Sequence, residues 1–156
     1  MADSEACRIC NRITSIPQVV RNNIHPNCKP RQDMQHDVEL FHSKFGISIK
    51  ITPEIPDMSV QVRRIRLIKE ETNELLTAIG NQDIVEVADG IADAIYVILG
   101  TAIEYGIDAR PIWDEVQRTN MAKEGGGVRE DGKILKPDGW IPPDIGSLLV
   151  AQGWIQ

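Results

Sequence analysis

Apolar residues recur at helical spacing in four stretches of the chain. Met34, Val38, Phe41 and Phe45 fall at i, i+4, i+7 and i+11, which predicts a helix over 34–45 ended by Gly46. Residues 46–57 carry Gly46, Pro53 and Pro56 and read as a loop, with Asp57 or Ser59 as the cap of the next helix. That second helix is expected from about Val60 to Ile79, with Leu67, Ile68, Leu75, Leu76 and Ile79 as its apolar positions. A third is expected from about Asp83 to Tyr105, carrying Val85, Ile91, Ile95, Val97, Ile98 and Leu99. Helices apolar over so much of their circumference are expected to be largely buried.

Between them lies Gly80-Asn81-Gln82-Asp83, a turn signal. Gly80 suits the end of one helix. Asp83 suits the N-cap of the next, with Glu86 at the capping-box spacing. So short a turn makes the two helices antiparallel neighbours. Gly90 and Gly100 lie inside the third helix, where each costs about 1 kcal/mol relative to Ala, so close helix approach is their expected use. Gly106 ends that helix. Pro111 suits the first turn of a fourth, running through Ile112, Trp113, Val116 and Met121 to Gly125-Gly126-Gly127. A turn and an extended segment come after it, expected to pack through Leu135, Trp140 and Ile141. The pattern predicts an all-α fold, a small antiparallel bundle of about four helices around one central hairpin. Its domain is placed at 34–145, between an extension at 1–33 and a tail at 146–156.

Composition narrows the classes. At 156 residues, 42% hydrophobic and 26% charged, the chain suits one soluble domain with a modest core. No apolar run reaches the roughly 18 residues of a membrane span, and no signal segment opens the chain, so a cytoplasmic location is expected. A net charge of −6 and 4% aromatic content argue against a nucleic-acid partner. In the extension, Cys7, Cys10, His25 and Cys28 have the residue types of a zinc site, but their spacing matches no standard finger, and incidental reduced thiols are the favoured reading.

Charge changes the picture of the hairpin. Residues 70–93 hold seven acids, Glu70, Glu71, Glu74, Asp83, Glu86, Asp89 and Asp93, and no Lys, Arg or His. Counting outward from the turn, Glu74 is level with Asp89, and Glu70 and Glu71 are level with Asp93. At about 100° per residue, Glu70, Glu71 and Glu74 span roughly a 100° arc, and Glu86, Asp89 and Asp93 roughly 60°. Both sets can meet across the hairpin. A solvated acidic face normally interleaves Lys or Arg, yet none occurs from Glu70 to Asp108. The pattern therefore predicts a divalent-cation site. Carboxylates without His or Cys select hard cations, chiefly Mg²⁺ or Mn²⁺, which at such sites share their shell with substrate phosphates. The chemistry expected is metal-assisted hydrolysis of a phosphoanhydride. A di-iron bundle would need Glu-x-x-His pairs, which the hairpin lacks. Upstream, Arg63, Arg64, Arg66 and Lys69 make the first half of the second helix basic, for anion binding or as a solvated face.

Glu70-Glu71-x-x-Glu74 followed by Glu86-x-x-Asp89 resembles the paired acidic motif of the all-α NTP pyrophosphohydrolase superfamily, the MazG-like and phosphoribosyl-ATP pyrophosphohydrolase-like proteins. The resemblance runs from about Met34 to Asp144. It takes in Phe41-His42-x-Lys44-Phe45-Gly46, Tyr96-Val97-Ile98-Leu99-Gly100-Thr101-Ala102, Thr119-Asn120-Met121-x-Lys123 and Asp131-Gly132-Lys133-x-x-Lys136. Eleven residues separate Glu74 from Glu86, at or just below the short end of the family range. The resemblance implies a Mg²⁺-dependent enzyme that cleaves a nucleoside triphosphate to monophosphate and pyrophosphate. It implies Glu71, Glu74, Glu86 and Asp89 as metal ligands, Glu70 as a further one, and Glu71 or Glu70 as the group that deprotonates the attacking water. Asp93 falls where relatives place a polar residue near the phosphates, and Asn120, Lys123 and Lys133 are implied to contact phosphate or ribose. A homodimer or homotetramer is implied as well. The leading expectation is a nucleotide pool-cleaning pyrophosphohydrolase acting on deoxynucleoside triphosphates. The alternatives are phosphoribosyl-ATP hydrolysis in histidine biosynthesis and a non-catalytic metal-binding helical scaffold.

Overall fold

The described residues, 33–155 of this computed structural model, fall all but the first in the unit Met34–Gln156. They form five helices: α1 (Met34–Phe45), α2 (Met58–Asn81), α3 (Ile84–Glu104), α4 (Ala109–Met121) and α5 (Ile145–Ala151). The fold is all-α, and the single bridge between Val128 and Ile134 is isolated. The long helices α2 and α3 pack along each other, α1 lies on α3, and α4 packs against α5. Among the described residues no helix is long and apolar enough to cross a membrane.

The turn between α2 and α3 is tighter than the glycine suggests. α2 continues through Gly80 to Asn81, and Gln82 takes the left-handed conformation at φ 59°, its N–H closing onto Ala78 and Ile79. The N–H of Asp83 donates to the Ala78 carbonyl at 3.1 Å. Its carboxylate caps α3, accepting from the N–H groups of Val85 at 3.0 Å and Glu86 at 3.2 Å. With the Asp83 N–H already engaged, only this half of the capping box forms.

Polar residues, more than apolar ones, seat α1 and α4. α1 buries Gln35, Val38 and His42, while Met34, Phe41 and Phe45 of the apolar stripe stay exposed. Gln35 accepts from the Ala109 N–H at 2.9 Å and donates to the Ile107 carbonyl at 3.1 Å, satisfying backbone groups at the start of α4. The loop before α2 is tied to the end of α3 through Lys50 N–H to Ile103 and Glu54 N–H to Tyr105. Gly106, at φ +70°, turns the chain there, and a Cβ on it would sit 2.0 Å from the Thr52 carbonyl oxygen.

α5 occupies a stretch expected as a tail. Its N-cap is Asp144, which accepts from Ser147 at 3.0 Å. Gln152 then anchors it, exchanging hydrogen bonds with the backbone of Asp108 at 2.9 and 3.0 Å. Trp140 is part-buried, whereas Ile141 is exposed.

Few apolar side chains are covered. Val38, Ala78 and Ile103 are the buried hydrophobic residues among those described. Leu76, Ile79, Val85, Ile91, Ile95 and Ile98, all expected in a core, are exposed in the single chain. The hairpin is apolar on more sides than α1 and the loops can cover.

In place of a large apolar core, the bundle buries an ionic one. Glu104 is 1% exposed and accepts from both Arg63 and Arg64. Arg64, 5% exposed, donates onward to Nε2 of His42 at 3.2 Å. His42, 2% exposed, must then carry its proton on Nδ1, which donates to the Ser48 carbonyl at 3.2 Å. The ring is neutral, and burial lowers its pKa despite the raising effect of the Ser48 bond. Gly100 makes the room, for a Cβ there would lie 3.0 Å from Arg64 Nη1 and 3.1 Å from His42 Nε2. The network joins α1, α2 and α3. Glu104→Gln removes its one carboxylate and leaves a buried guanidinium uncompensated. Urea unfolding should show a loss of about 3–5 kcal/mol; a loss under about 1 kcal/mol would refute this account.

Candidate functional site

The acids of the hairpin are brought together by one backbone contact. A Cβ on the buried Gly90 would lie 3.1 Å from both Cα and Cβ of Leu75. Glu74 precedes Leu75 and Asp89 precedes Gly90, so this close approach of α2 and α3 falls beside the acidic pair.

Glu71 sits at the focus. It is part-buried, and its carboxyl is held above its ordinary pKa, first by burial and then by Asp93, Glu74, Glu70 and Asp89. The strongest of these charges, Asp93, is across the hairpin on α3. Glu86 is not among the acids acting on Glu71; it lies in the first turn of α3, nearer the turn. As the side chains stand, no group of three or more acids, histidines or cysteines among the described residues closes tightly enough to hold an ion. The donor set nevertheless suits a hard cation. It is all carboxylate, it has no side-chain cation to neutralise it, and apart from Glu71 its members are exposed and free to turn inward.

A cavity of about 520 Å³ opens along the same seam. Phe41, Ile47, Val60, Leu67, Tyr96 and Val97 form its apolar walls, and His42, Arg63, Arg64 and Glu104 its polar end. Phe41 and Tyr96 meet edge to face at 5.5 Å. Leu67 stands one turn before Glu71, and Val97 one turn after Asp93, so cavity and acids share the groove between α2 and α3.

The cationic candidates form a separate group. Asn120 is at the last turn of α4, and its Oδ1 accepts from Lys123 Nζ at 2.7 Å. Lys133 lies beyond a turn braced by Arg129, whose guanidinium binds Asp131. Lys136, not Lys133, joins Lys123: both ammonium groups lie over the Trp140 ring, at 4.2 and 6.0 Å respectively.

Several of these features escape a reading of the sequence. At the basic start of α2, Arg64 is buried against Glu104, whereas Arg63 binds the same carboxylate while its side chain stays 44% exposed. The available signal was Glu104 itself, an acid inside the apolar run Ala102-Ile103-Glu104-Tyr105. His42 could be placed on neither side of α1 by periodicity, because the buried face of that helix is partly polar.

A family model described as phosphoribosyl-ATP pyrophosphohydrolase matches residues 38–120. That span holds α2, α3, the acidic hairpin and most of α1 and α4. No curated protein matches the chain.

Because its folded pKa is raised, Glu71 makes the folded chain bind more protons than the unfolded one between the ordinary and raised values. Folding is therefore unpenalised below the ordinary glutamate range and loses stability as pH rises through the raised pKa. Glu71→Gln should raise the melting temperature of the metal-free protein near neutral pH. Mn²⁺ should stabilise the wild type near pH 7 by roughly 3 kcal/mol at 100 times its dissociation constant, and hardly at all near pH 4. Differential scanning fluorimetry across pH checks both; an unchanged or lower Tm for the variant counts against the cluster.

Proposed function

Because the chain belongs to the phosphoribosyl-ATP pyrophosphohydrolase family, whose members hydrolyse phosphoanhydride bonds, we propose that it cleaves a nucleoside triphosphate to the monophosphate and pyrophosphate, in the service of nucleotide-pool cleaning. The observation that carries this reading is the convergence of Asp93, Glu74, Glu70 and Asp89 on Glu71. The family is generally divalent-metal dependent. In this reading Glu70, Glu71, Glu74, Glu86 and Asp89 hold Mg²⁺, with Mn²⁺ as a substitute. When bound, the ion neutralises phosphate charge and lowers the pKa of water.

The chain's own residues supply the rest. Glu71 is the group we assign as general base, since it is the part-buried carboxylate of the cluster and is faced by acids from both helices. Glu70 is its neighbour and the second candidate. The water oxygen forms a new bond to phosphorus as the bridging oxygen departs with pyrophosphate. Asp93 is assigned to the surroundings of the phosphates, and Asn120, Lys123 and Lys133 to phosphate or ribose. The cavity is the place we assign to the nucleoside, because it continues the acidic seam and its walls are apolar and aromatic.

Phosphoribosyl-ATP is the second reading, favoured by the family description itself. That substrate carries an extra phosphoribosyl group on its base, so the base pocket would need a free cation. Arg63 and Arg64 share the single carboxylate of Glu104, and the Arg63 side chain stays 44% exposed, so the polar end of the cavity keeps a net positive charge that suits this substrate. A coupled pyrophosphate-release assay with Mg²⁺, a nucleoside triphosphate panel and phosphoribosyl-ATP separates the two. Glu71→Gln and Glu74→Gln should each lower kcat by about 100-fold or more. Turnover that survives both substitutions sinks the proposal, and turnover of phosphoribosyl-ATP alone selects the second reading.

We assign a second copy of this chain to the uncovered hairpin face. Leu76, Ile79, Val85, Ile91 and Ile98 are more exposed apolar surface than a monomer normally shows. Sedimentation velocity should give a dimer or tetramer, and Leu76→Glu with Ile79→Glu should shift it toward monomer. A wild-type monomer at about 10 μM, far above the dissociation constant of a stable interface, would end this assignment.

A further inference from the structure

Trp140 is held by one edge. Its indole Nε1 donates to the Thr119 carbonyl at 2.8 Å, in the last turn of α4. Thr119 is 2% exposed, and its own hydroxyl donates to the Val116 carbonyl, so the anchor is rigid. The indole plane then collects two ammonium groups from different segments. Lys123 follows α4, and Lys136 comes back from the far side of the turn at 129–133. The returning segment is fixed by Leu135 N–H to the Gly127 carbonyl and by the Val128–Ile134 bridge. Among the described residues, neither lysine forms an ion pair with a carboxylate, although acids outnumber bases by 23 to 17 in the whole chain. Like charges repel, so attraction to one indole, rather than a shared anion, is what stations both ammonium groups beside it. Lys123 also holds Asn120 by its Oδ1, which leaves the Nδ2 donors of that amide outward.

We propose that Trp140 positions Lys123 and Lys136, with the Asn120 amide, as a clamp for a polyphosphate anion. This adds Lys136 and Trp140 to the residues assigned above, and makes Lys136 rather than Lys133 the partner of Lys123. Two cations and an amide donor with no resident counter-ion match the oxygens of adjacent phosphate groups. Within the hydrolase reading, on which its catalytic relevance rests, the clamp takes the pyrophosphate end of the substrate. Lys123 and Lys136 are then binding groups. Trp140 acts through them as a positioning residue.

The test uses inorganic tripolyphosphate and the full chain in excess chelator, so that the acidic hairpin has no metal through which to hold an anion. Isothermal titration calorimetry should show binding to the wild type. Lys123→Gln with Lys136→Gln should weaken it by about 100-fold, and Lys136→Gln alone by about tenfold. Lys136 is exposed and Lys123 half-buried, and neither pairs with a buried carboxylate, so the melting temperature should change by no more than a few degrees. Trp140→Phe, which keeps an aromatic face but loses the Nε1 anchor, should bind more weakly than wild type and more tightly than Trp140→Leu, which should match Lys136→Gln. With metal and nucleotide, Lys136→Gln should raise KM more than it lowers kcat. Failure of the wild type to bind tripolyphosphate, or equal binding by the double variant, overturns the clamp whatever the activity. Binding lost in the double variant, in a protein that hydrolyses no nucleotide, upholds the clamp and refutes the hydrolase reading alone.

Discussion

The approach of Gly90 to Leu75 is the constraint on which the rest of this structure depends. At this point two helices meet with no side chain between them. A residue with a Cβ would push them apart, and the acids of the two helices would no longer face Glu71 together. Because the backbones are held close, Glu74 and Asp89 flank the contact, and Glu71 has acids around it from both helices. The helix-propensity cost of a buried glycine, about 1 kcal/mol, is one part of what this arrangement costs. Carboxylate repulsion around Glu71 adds to that cost, and apolar packing in the hairpin must offset both. A ligand cation turns that repulsion into attraction, so the same geometry that weakens the empty fold favours the loaded one.

At the other end of the groove, the Arg64–Glu104–His42 network does for three helices what Gly90 does for two. A bundle this small has little apolar surface with which to fix α1, and Val38 is the buried apolar residue that α1 contributes. Directional bonds fill the gap. A buried ion pair is a poor source of net stability, because desolvation consumes most of its attraction. It is a strong source of uniqueness, since no other rotation of α1 would satisfy Arg64. The neutral His42 completes the arrangement by accepting from a guanidinium on one nitrogen and donating to a carbonyl on the other. The cavity wall made of Phe41 and Tyr96 therefore stands on a polar footing.

The helix boundaries were legible because apolar periodicity and turn residues agree along most of the chain. α1 begins and ends where its stripe does, and the cap at Asp83 follows from the preference of short acids for free N–H groups. The juxtaposition of α2 and α3 was legible by counting alone, since a short turn leaves little freedom in register. Beyond reach was anything that needs three-dimensional pairing of distant residues. Arg64 and Glu104 are 40 positions apart, and nothing local marks them as partners. α5 was hidden by its brevity, as seven residues offer barely two turns of pattern. The left-handed Gln82 was hidden for a different reason: a glycine two residues earlier offered an easier place for that conformation, and tertiary packing of α2 on α3 decided against it.

Charge segregation ties these parts together. A lysine placed inside the acidic seam would pair with Glu71, lower its pKa and occupy the space a divalent ion requires. The seam from Glu70 to Asp108 contains no such residue. Arg63 and Arg64, the nearest inward-facing cations, are restrained by Glu104 and cannot swing toward the acids without abandoning a buried carboxylate. Lys123 and Lys136 are restrained in another way, by an indole whose face attracts cations but cannot neutralise them. Each of these cations is thus either committed to a buried partner or stationed on a neutral one. In the proposed hydrolase reading, an anionic substrate draws positive charge from two sides, an ion among carboxylates and side chains that those carboxylates have not already captured. Keeping the two sources on separate elements is the arrangement that leaves both available.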